Sequence, residues 1–238
     1  MTKLGRREAA FGLGLVGIAG AWQVWGVQKP RLTFEPIKNA PDWSFATVGE
    51  MSGASGNDLL TIGLEKGPDP MPAQELGAGL YRDTQDGVRV AVFSDFFCPF
   101  CRGLVGRLRG RTAGPPLALN WHELPLLGPS SVLAAKAAEA AGIQGGYAKF
   151  YDQLITDGFR PLASWMRQVA DRAGLDGQQL QRDMEGPQVA ARLAESASAA
   201  ATLGFFATPG IVIGRKAVLG SLDTELMEDL IGEALLIA

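Results

Sequence analysis

The sequence predicts an α/β domain that contains a helical insertion. One stretch has the β-branched and aromatic composition of a buried strand, a second strand is predicted further along the chain, and a helix is predicted between them. A long block of alanine-rich helical patterns follows, and the chain then returns to strand character before a last helix. This order of elements is typical of one sheet covered by helices.

The first strand of this domain is predicted within GVRVAVFSDFF, residues 87–97, after an Asp-Gly turn signal. Its apolar residues are nearly continuous, as in a strand that has helices on both faces. A helix is predicted from Pro99 to about Arg109, with the proline in the first turn, where a missing N–H has no cost. A second strand is predicted in LALNWHELPLL and ends near Pro125.

The helical insertion is predicted over about residues 129–203. Its first helix lies in SSVLAAKAAEAAG, which has a serine start, an alanine-rich body and a glycine stop. The aromatic residues of YAKFYDQLI recur at helical spacing, and we interpret them as core residues rather than a cofactor site. GIVIGRKAVLG then predicts a hairpin that turns at Gly214-Arg215, and the last helix has one apolar stripe.

Residues 28–84 show no sustained periodicity. They carry six prolines and a glycine-serine patch, MSGASGND. This composition predicts a linker or a loosely packed lead-in segment, in which DLLTIGL, residues 58–64, has the composition of a short edge strand. We therefore expect the folded domain to occupy residues 85–238.

The first 27 residues predict an export signal or a membrane anchor. Three basic residues within the first seven precede an apolar run over residues 9–27. The triplet Ala19-Gly20-Ala21 has the form of a cleavage site, whereas the length of the run favours an uncleaved tether. A buried first helix is the alternative. The basic start favours export, and we expect the protein to work in the bacterial periplasm, where disulfides persist, either free or tethered to the inner membrane.

Composition limits the classes of function. The formal net charge of −3 argues against a nucleic-acid-binding protein, which would be expected to show a basic face. Two cysteines in 238 residues exclude a disulfide framework. A closed zinc site needs four protein ligands, and Cys98, Cys101 and the single histidine, His122, supply three. We therefore expect no structural metal.

The motif CPFC, residues 98–101, is compatible with a redox dithiol, a pair of metal ligands or a structural staple. Cys98 is predicted between a strand and a helix, where the positive end of the helix dipole favours the thiolate. Cys101 lies one turn later and is placed to resolve a mixed disulfide on Cys98. The loop that the two residues would close is so small that a staple would stabilise the fold little. We interpret the pair as a redox-active disulfide that needs no other cofactor.

A second stretch, FFATPGIVIG, places Thr208 and Pro209 just before a strand. Together with Cys-Pro-x-Cys after a strand, it resembles the DsbA-like branch of the thioredoxin superfamily. The resemblance covers about residues 86–238 and is carried by three separated segments. These are FSDFFCPFC, ELPLLGPSSVLAAKAAEAAGIQGGYAKFYDQLI and LGFFATPGIVIG.

The resemblance implies a thioredoxin-like fold in which Cys98 attacks and Cys101 resolves. It also implies a cis peptide at Thr208-Pro209, in a loop that presents its backbone to an extended substrate as an added strand. Many oxidising members of this branch carry histidine where this chain has Phe100, after Pro99. Because phenylalanine cannot donate a hydrogen bond to the thiolate, we expect the pKa of Cys98 to be lowered less than in DsbA.

Further residues near the motif are candidates for tuning. Asp95 and Glu123 are placed to accept a proton from Cys101, or else are capping or solvated carboxylates. We expect His122 to be a plain polar strand residue. An apolar docking surface is predicted from rings near the motif, although core packing is the better interpretation for the first of them. These rings belong to Phe96, Phe97, Phe100 and Phe206.

These observations predict an exported protein thiol-disulfide oxidoreductase that donates its Cys98–Cys101 disulfide to reduced or unfolded exported proteins. The resemblance implies a quinone-linked, DsbB-like membrane partner that reoxidises it. A periplasmic reductase or isomerase with the same chemistry stays open, as does a copper-binding assembly protein that uses both cysteines as ligands.

Overall fold

The computed structural model describes residues 32–53, 68–82 and 86–236. In this part of the chain, six strands form one mixed sheet, and helices pack around it. The strands are β1 (Glu35–Ile37), β2 (Ala40–Thr47), β3 (Val88–Ser94), β4 (Leu117–Glu123), β5 (Gly210–Ile213) and β6 (Lys216–Leu219). The helices are α1 (Ala73–Leu80), α2 (Pro99–Arg109), α3 (Pro129–Ile143), α4 (Tyr147–Asp157), α5 (Ala163–Arg172), α6 (Gly177–Asp183), α7 (Pro187–Leu203) and α8 (Thr224–Leu235).

The strands are ordered β1-β2-β6-β5-β3-β4. β3 is parallel to β4 and antiparallel to β5, and β2 is parallel to β6. Val90 and Val92 of β3 belong to the core cluster that also contains residues of α2 and α8, whereas Ala91 and Phe93 belong to the cluster of α1 and α7. The near-continuous apolar run of β3 therefore reflects burial on both faces of the sheet.

The predicted order of elements from β3 onward is confirmed. α2 has Pro99 in its first turn, and the β5–β6 hairpin turns through Gly214, whose φ of +60° favours glycine. Five helices, α3 to α7, follow one another without a strand and form the predicted helical insertion. Their core combines the small residues of α3 with larger side chains such as Phe150 and Met166.

The prediction of a linker over residues 28–84 is wrong for much of the part that is described. β2 pairs with β6, and its residues Ala40, Trp43 and Ala46 are buried. α1 packs on α7 and buries Leu76 completely. The chain from Leu32 onward forms one compact unit, so the folded domain begins about fifty residues before the expected boundary at residue 85.

The reason for this error is physical. β2 contains a proline and an aspartate and lacks apolar alternation, and its partner β6 lies near the other end of the chain.

The predicted edge strand over residues 58–64 and the predicted export signal or anchor over residues 1–27 lie outside the described residues. None of the helices in the described ranges has the length and apolar character needed to cross a membrane.

Candidate active site

The two cysteines lie where the sheet meets α2. β3 ends at Ser94, and the following turn is closed by the Cys98 N–H, which donates to the Asp95 carbonyl oxygen at 3.0 Å. Cys98 is the residue that caps α2, and its Sγ accepts a hydrogen bond from the Cys101 N–H at 3.3 Å. The sulfur of Cys98 is therefore held against the free N–H groups at the positive end of the helix.

Charge is distributed unequally between the two thiols. The pKa of Cys98 is lowered to about 5, chiefly by a hydrogen bond from the Cys101 side chain and against the effect of burial. Side-chain hydrogen bonds from Thr208 and Ser52 lower it further. Burial raises the pKa of Cys101 well above its ordinary value, and the neighbouring Cys98 adds a further, smaller increase. At neutral pH Cys98 is thus a thiolate and Cys101 a thiol.

A cis peptide joins Thr208 and Pro209, as the resemblance implies. The carbonyl oxygen of Thr208 lies 3.4 Å from Sγ of Cys98, so the loop contacts the reactive sulfur directly. Gly210 follows at the start of β5, where a Cβ would meet the Phe205 ring at 2.6 Å. Glycine is therefore required for the close approach of this loop to the core.

Sequence reasoning missed Ser52. This residue forms an isolated antiparallel bridge with Thr208, and it belongs to the segment interpreted as a linker. Only the glycine-serine patch marks this segment in the sequence, and such patches are typical of loops in general.

The comparisons with known proteins agree with this geometry. The family model described as "DSBA-like thioredoxin domain" matches residues 89–232. The chain belongs to this family. The DSBA-like chain is also 34% identical to a thioredoxin-like oxidoreductase from Silicibacter pomeroyi, whose solved structure it matches with a TM-score of 0.61 over 68% of its own length and 98% of that chain. The domain is therefore a thiol-disulfide oxidoreductase.

The DSBA-like chain is also similar to a solved thiol-disulfide exchange protein and to part of an antiporter. The thiol-disulfide exchange protein alpha-DsbA2 from Wolbachia pipientis shares its fold, with a TM-score of 0.59 and 16% identity over 67% of this chain and 92% of that one. A Na(+)/H(+) antiporter, NhaA 1, from Mycolicibacterium gilvum is 31% identical over 55% of this chain. The match spans about a fifth of the antiporter's length, since it covers 22% of that protein.

Asp95 braces the loop that carries Cys98. Its buried carboxylate accepts hydrogen bonds from four groups around the ends of β3 and β4, at distances of 2.8 to 3.1 Å. The donors are the N–H groups of Phe97, Leu126 and Leu127 and the hydroxyl of Ser131. Burial raises the pKa of Asp95, and these hydrogen bonds oppose the rise. The contacts are those of a capping carboxylate, one of the two roles predicted for this residue.

Replacing Asp95 with alanine is expected to lower the free energy of unfolding by about 3 kcal/mol, because several buried donors lose their acceptor together. Urea unfolding of the disulfide form measures the change. Asp223→Ala is the matched control, since Asp223 caps the exposed start of α8 through a single hydrogen bond and its loss is expected to cost about 1 kcal/mol. Equal losses for the two variants would contradict the bracing role.

Glu123 lies at the end of β4 and is also buried. The Tyr147 hydroxyl donates to its Oε1, and Oε2 has no hydrogen-bond partner among the described residues. Burial raises the pKa of Glu123 well above its usual value. Burial raises the pKa of Tyr151, and the nearby charges of Glu123 and Cys101 raise it further.

His122 lies in β4, as predicted for a polar strand residue, and it is buried. Its Nε2 lies 3.0 Å from the Leu80 carbonyl oxygen and its Nδ1 lies 3.2 Å from Oγ of Ser196. Burial, with the nearby charge of Arg82, lowers the pKa of His122 to about 3. Within the described ranges, no cluster of three or more histidine, cysteine, aspartate or glutamate side chains is placed to hold a metal ion.

The four phenylalanines near the motif divide into two groups. Phe96 is buried against Tyr151, which confirms its interpretation as a core residue. Phe206 is 59% exposed beside the cis-proline loop, and Phe100 and Phe97 are half-buried. The predicted apolar docking surface is thereby narrowed to Phe97, Phe100 and Phe206, and its role in substrate binding stays a prediction.

Proposed function

We propose that this chain is an exported disulfide donor, in which Cys98 forms the mixed disulfide with the substrate and Cys101 is the sulfur released from the enzyme disulfide. In the reverse, reducing direction, Cys101 resolves the mixed disulfide. The observation that carries this proposal is the stabilised Cys98 thiolate at the start of α2, with a protonated Cys101 one turn away. A sulfur with a low pKa is both a good attacking group and a good leaving group near neutral pH.

Oxidation of a substrate takes two exchanges. A substrate thiolate attacks Sγ of Cys98 in the Cys98–Cys101 disulfide; the bond between the two cysteines breaks, and the released Cys101 sulfur takes up a proton. A second substrate thiolate then attacks the substrate sulfur of the mixed disulfide and expels Cys98 as a thiolate. Two substrate thiols have lost two electrons to the enzyme. The raised pKa of Cys101 favours its protonation in the first exchange.

The direction of net transfer follows from the stability of the reduced form. A disulfide is strongly oxidising when its reduced form is stabilised, as in DsbA, where the pKa of the attacking cysteine is about 3.5 against about 7 in thioredoxin. The pKa of Cys98, about 5, lies between these values. We assign Pro99 and Phe100, with the buried Asp95 and Glu123, to tuning of the pair.

The reduction potential tests this direction. Equilibration of the chain with glutathione buffers, followed by thiol quantification, is expected to give a potential between those of thioredoxin, about −270 mV, and DsbA, about −120 mV. A value at or below that of thioredoxin would favour a reductase. Tight stoichiometric binding of Cu(I) without oxidation of a reduced peptide would instead favour a copper-binding protein.

Export and partners belong to the same proposal. The basic start and apolar run of residues 1–27 support export to the periplasm, with or without a tether. The substrates would be reduced exported proteins, whose extended segments pair with the backbone at Thr208 beside the cis proline. A membrane redox partner of the DsbB kind would return the enzyme to its disulfide form after each cycle.

A further inference from the structure

Residues 48–53, here called the strap, continue from the end of β2 past the end of β6 to Thr208 in the cis-proline loop. The Val48 N–H donates to the Leu219 carbonyl oxygen at 2.9 Å. Two residues later, the carbonyl oxygen of Glu50 accepts from the Ser221 N–H, also at 2.9 Å. The strap is therefore fixed at its start by the end of β6 and by the residues just beyond it.

Glycine allows the strap and the end of β6 to approach closely. Gly220 has a φ of +112°, and a Cβ at this position would lie 1.8 Å from the carbonyl oxygen of Val48. At the other end of the strap, a Cβ on Gly53 would lie 2.9 Å from Cβ of Ala207 and 3.2 Å from the carbonyl oxygen of Phe206. A side chain at residue 53 would therefore push the strap away from the cis-proline loop.

Ser52 pairs with both backbone groups of Thr208. The Ser52 N–H donates to the Thr208 carbonyl oxygen at 2.7 Å, and the Thr208 N–H donates to the Ser52 carbonyl oxygen at 2.8 Å. This is the hydrogen-bonding pattern of an antiparallel strand pair. An extended peptide that added itself to the sheet at Thr208 would need the same two groups.

Ser52 also reaches the reactive sulfur. The Ser52 side chain is one of the groups that lower the pKa of Cys98. Cys98 is fully buried, although it is the residue that must meet the substrate. The strap therefore pairs with the residue whose carbonyl oxygen lies 3.4 Å from Sγ of Cys98. It occupies the backbone groups on which an added substrate strand would pair, beside the sulfur that a substrate cysteine would have to reach.

We propose that the strap occupies the pairing position of the substrate while no substrate is bound. Ser52 is then a positioning residue that covers Cys98 until a substrate segment displaces it. The proposal rests on the disulfide-donor function and adds the step by which the site opens. The two backbone hydrogen bonds to Ser52 are replaced by two to the substrate, so the exchange leaves Thr208 paired throughout. Between reactions the strap shields the reactive sulfur from small thiols and bulky reagents.

Alkylation kinetics test the shielding directly. Each protein carries Cys101→Ala so that Cys98 is the only thiol, and a polyethylene glycol maleimide serves as the bulky probe. Gly53→Val is expected to raise the rate about tenfold, because the two backbone hydrogen bonds of Ser52 are weakened. Glu50→Gln is the control, because the Glu50 side chain is exposed and the residue is held by a hydrogen bond to its backbone carbonyl oxygen. The alkylation rate of this variant is expected to stay unchanged. Equal rates for Gly53→Val and its parent would overturn the proposal.

Ser52→Ala separates the hydroxyl from the backbone pairing. In the same background it is expected to move the midpoint of the pH profile of iodoacetamide alkylation upward, because one hydrogen bond to the thiolate is lost. Ser52→Thr, which retains a hydroxyl, is expected to restore the midpoint. A midpoint that is the same with and without the hydroxyl would contradict the role of Ser52, because a purely structural side chain would not affect this profile.

Amide hydrogen exchange in a trapped mixed disulfide measures whether the substrate displaces the strap from Thr208. When the Cys101→Ala chain is linked to a synthetic cysteine-containing peptide, the Ser52 amide is expected to lose protection while the Thr208 amide keeps it. A Ser52 amide that stays protected in the adduct would refute displacement. Failure to form the adduct would count against the disulfide-donor function, and the alkylation rates would still decide whether the strap shields Cys98.

Discussion

Replacing Cys98 with alanine is expected to abolish disulfide exchange, whereas replacing Cys101 with alanine is expected to stop the reaction at a stable mixed disulfide. The difference is expected because the sulfur of Cys98 is held at the positive end of α2 with a lowered pKa, whereas the pKa of Cys101, one turn later, is raised. Incubation of each variant with a peptide disulfide, followed by non-reducing electrophoresis and mass spectrometry, measures the outcome. The adduct should map to Cys98.

These two variants serve as controls for each other, because each removes one buried sulfur of the same size from neighbouring positions. Circular dichroism should show the same helical content for both, so that a difference in adduct formation reports chemistry rather than folding. The assignment of roles would be reversed if the Cys98→Ala protein formed the stable adduct through Cys101. Applied in the export compartment, the Cys101→Ala protein would also capture the natural substrates and the recycling partner.

Local patterns were sufficient to predict much of the fold. The run of apolar residues in β3, the proline at the start of α2 and the glycine turn after β5 each reflect an interaction within a few residues of the chain. β2 was missed because its residues depend on a partner from the other end of the chain, and three buried side chains spaced by three residues do not follow the alternation of a strand.

In the candidate site, too, residues with a local sequence signal were predicted, whereas a residue whose partner is distant in the sequence was missed. Cys98 and Cys101 are recognisable because two cysteines at this spacing have few other uses, and Pro209 follows from the resemblance. Ser52 could not be found from the sequence, because its contacts are made through the backbone with a residue more than 150 positions away. The effect of Phe100 on the pKa of Cys98 stays a prediction, because the groups that set this pKa are Cys101, Thr208 and Ser52, together with burial.

The stability of the reduced protein is expected to fall by about 2 kcal/mol, relative to that of the oxidised protein, when the pH is lowered from 7 to 5. In the folded protein the pKa of Cys98 is lowered from 9.0 to about 5. Unfolding at neutral pH therefore takes up a proton on this sulfur, and a higher pH favours the folded state. The contribution is complete above the pKa of the unfolded chain and is lost as the pH falls through about 5.

Comparison of the two redox forms isolates this contribution. The disulfide form has no thiol to titrate, whereas the carboxyl groups of Asp95 and Glu123 and the ring of His122 are present in both forms, so their contributions largely cancel. Cys101 adds nothing in this range, because its raised pKa keeps it protonated in the folded state, and in the unfolded chain its thiol is also protonated below pH 7. Urea unfolding of both forms at the two pH values gives the difference.

A difference between the two forms that does not change with pH would show that the Cys98 thiolate is not stabilised by the fold, and it would remove the main support for an oxidising role. Folding and reduction form a closed thermodynamic cycle, so the free energy that stabilises the folded reduced form must also raise the reduction potential of the folded protein. For a two-electron couple, about 2 kcal/mol corresponds to about 45 mV. Because both measurements depend on the same hydrogen bonds to Sγ of Cys98, Ser52→Ala should lower the reduction potential and weaken the pH dependence together.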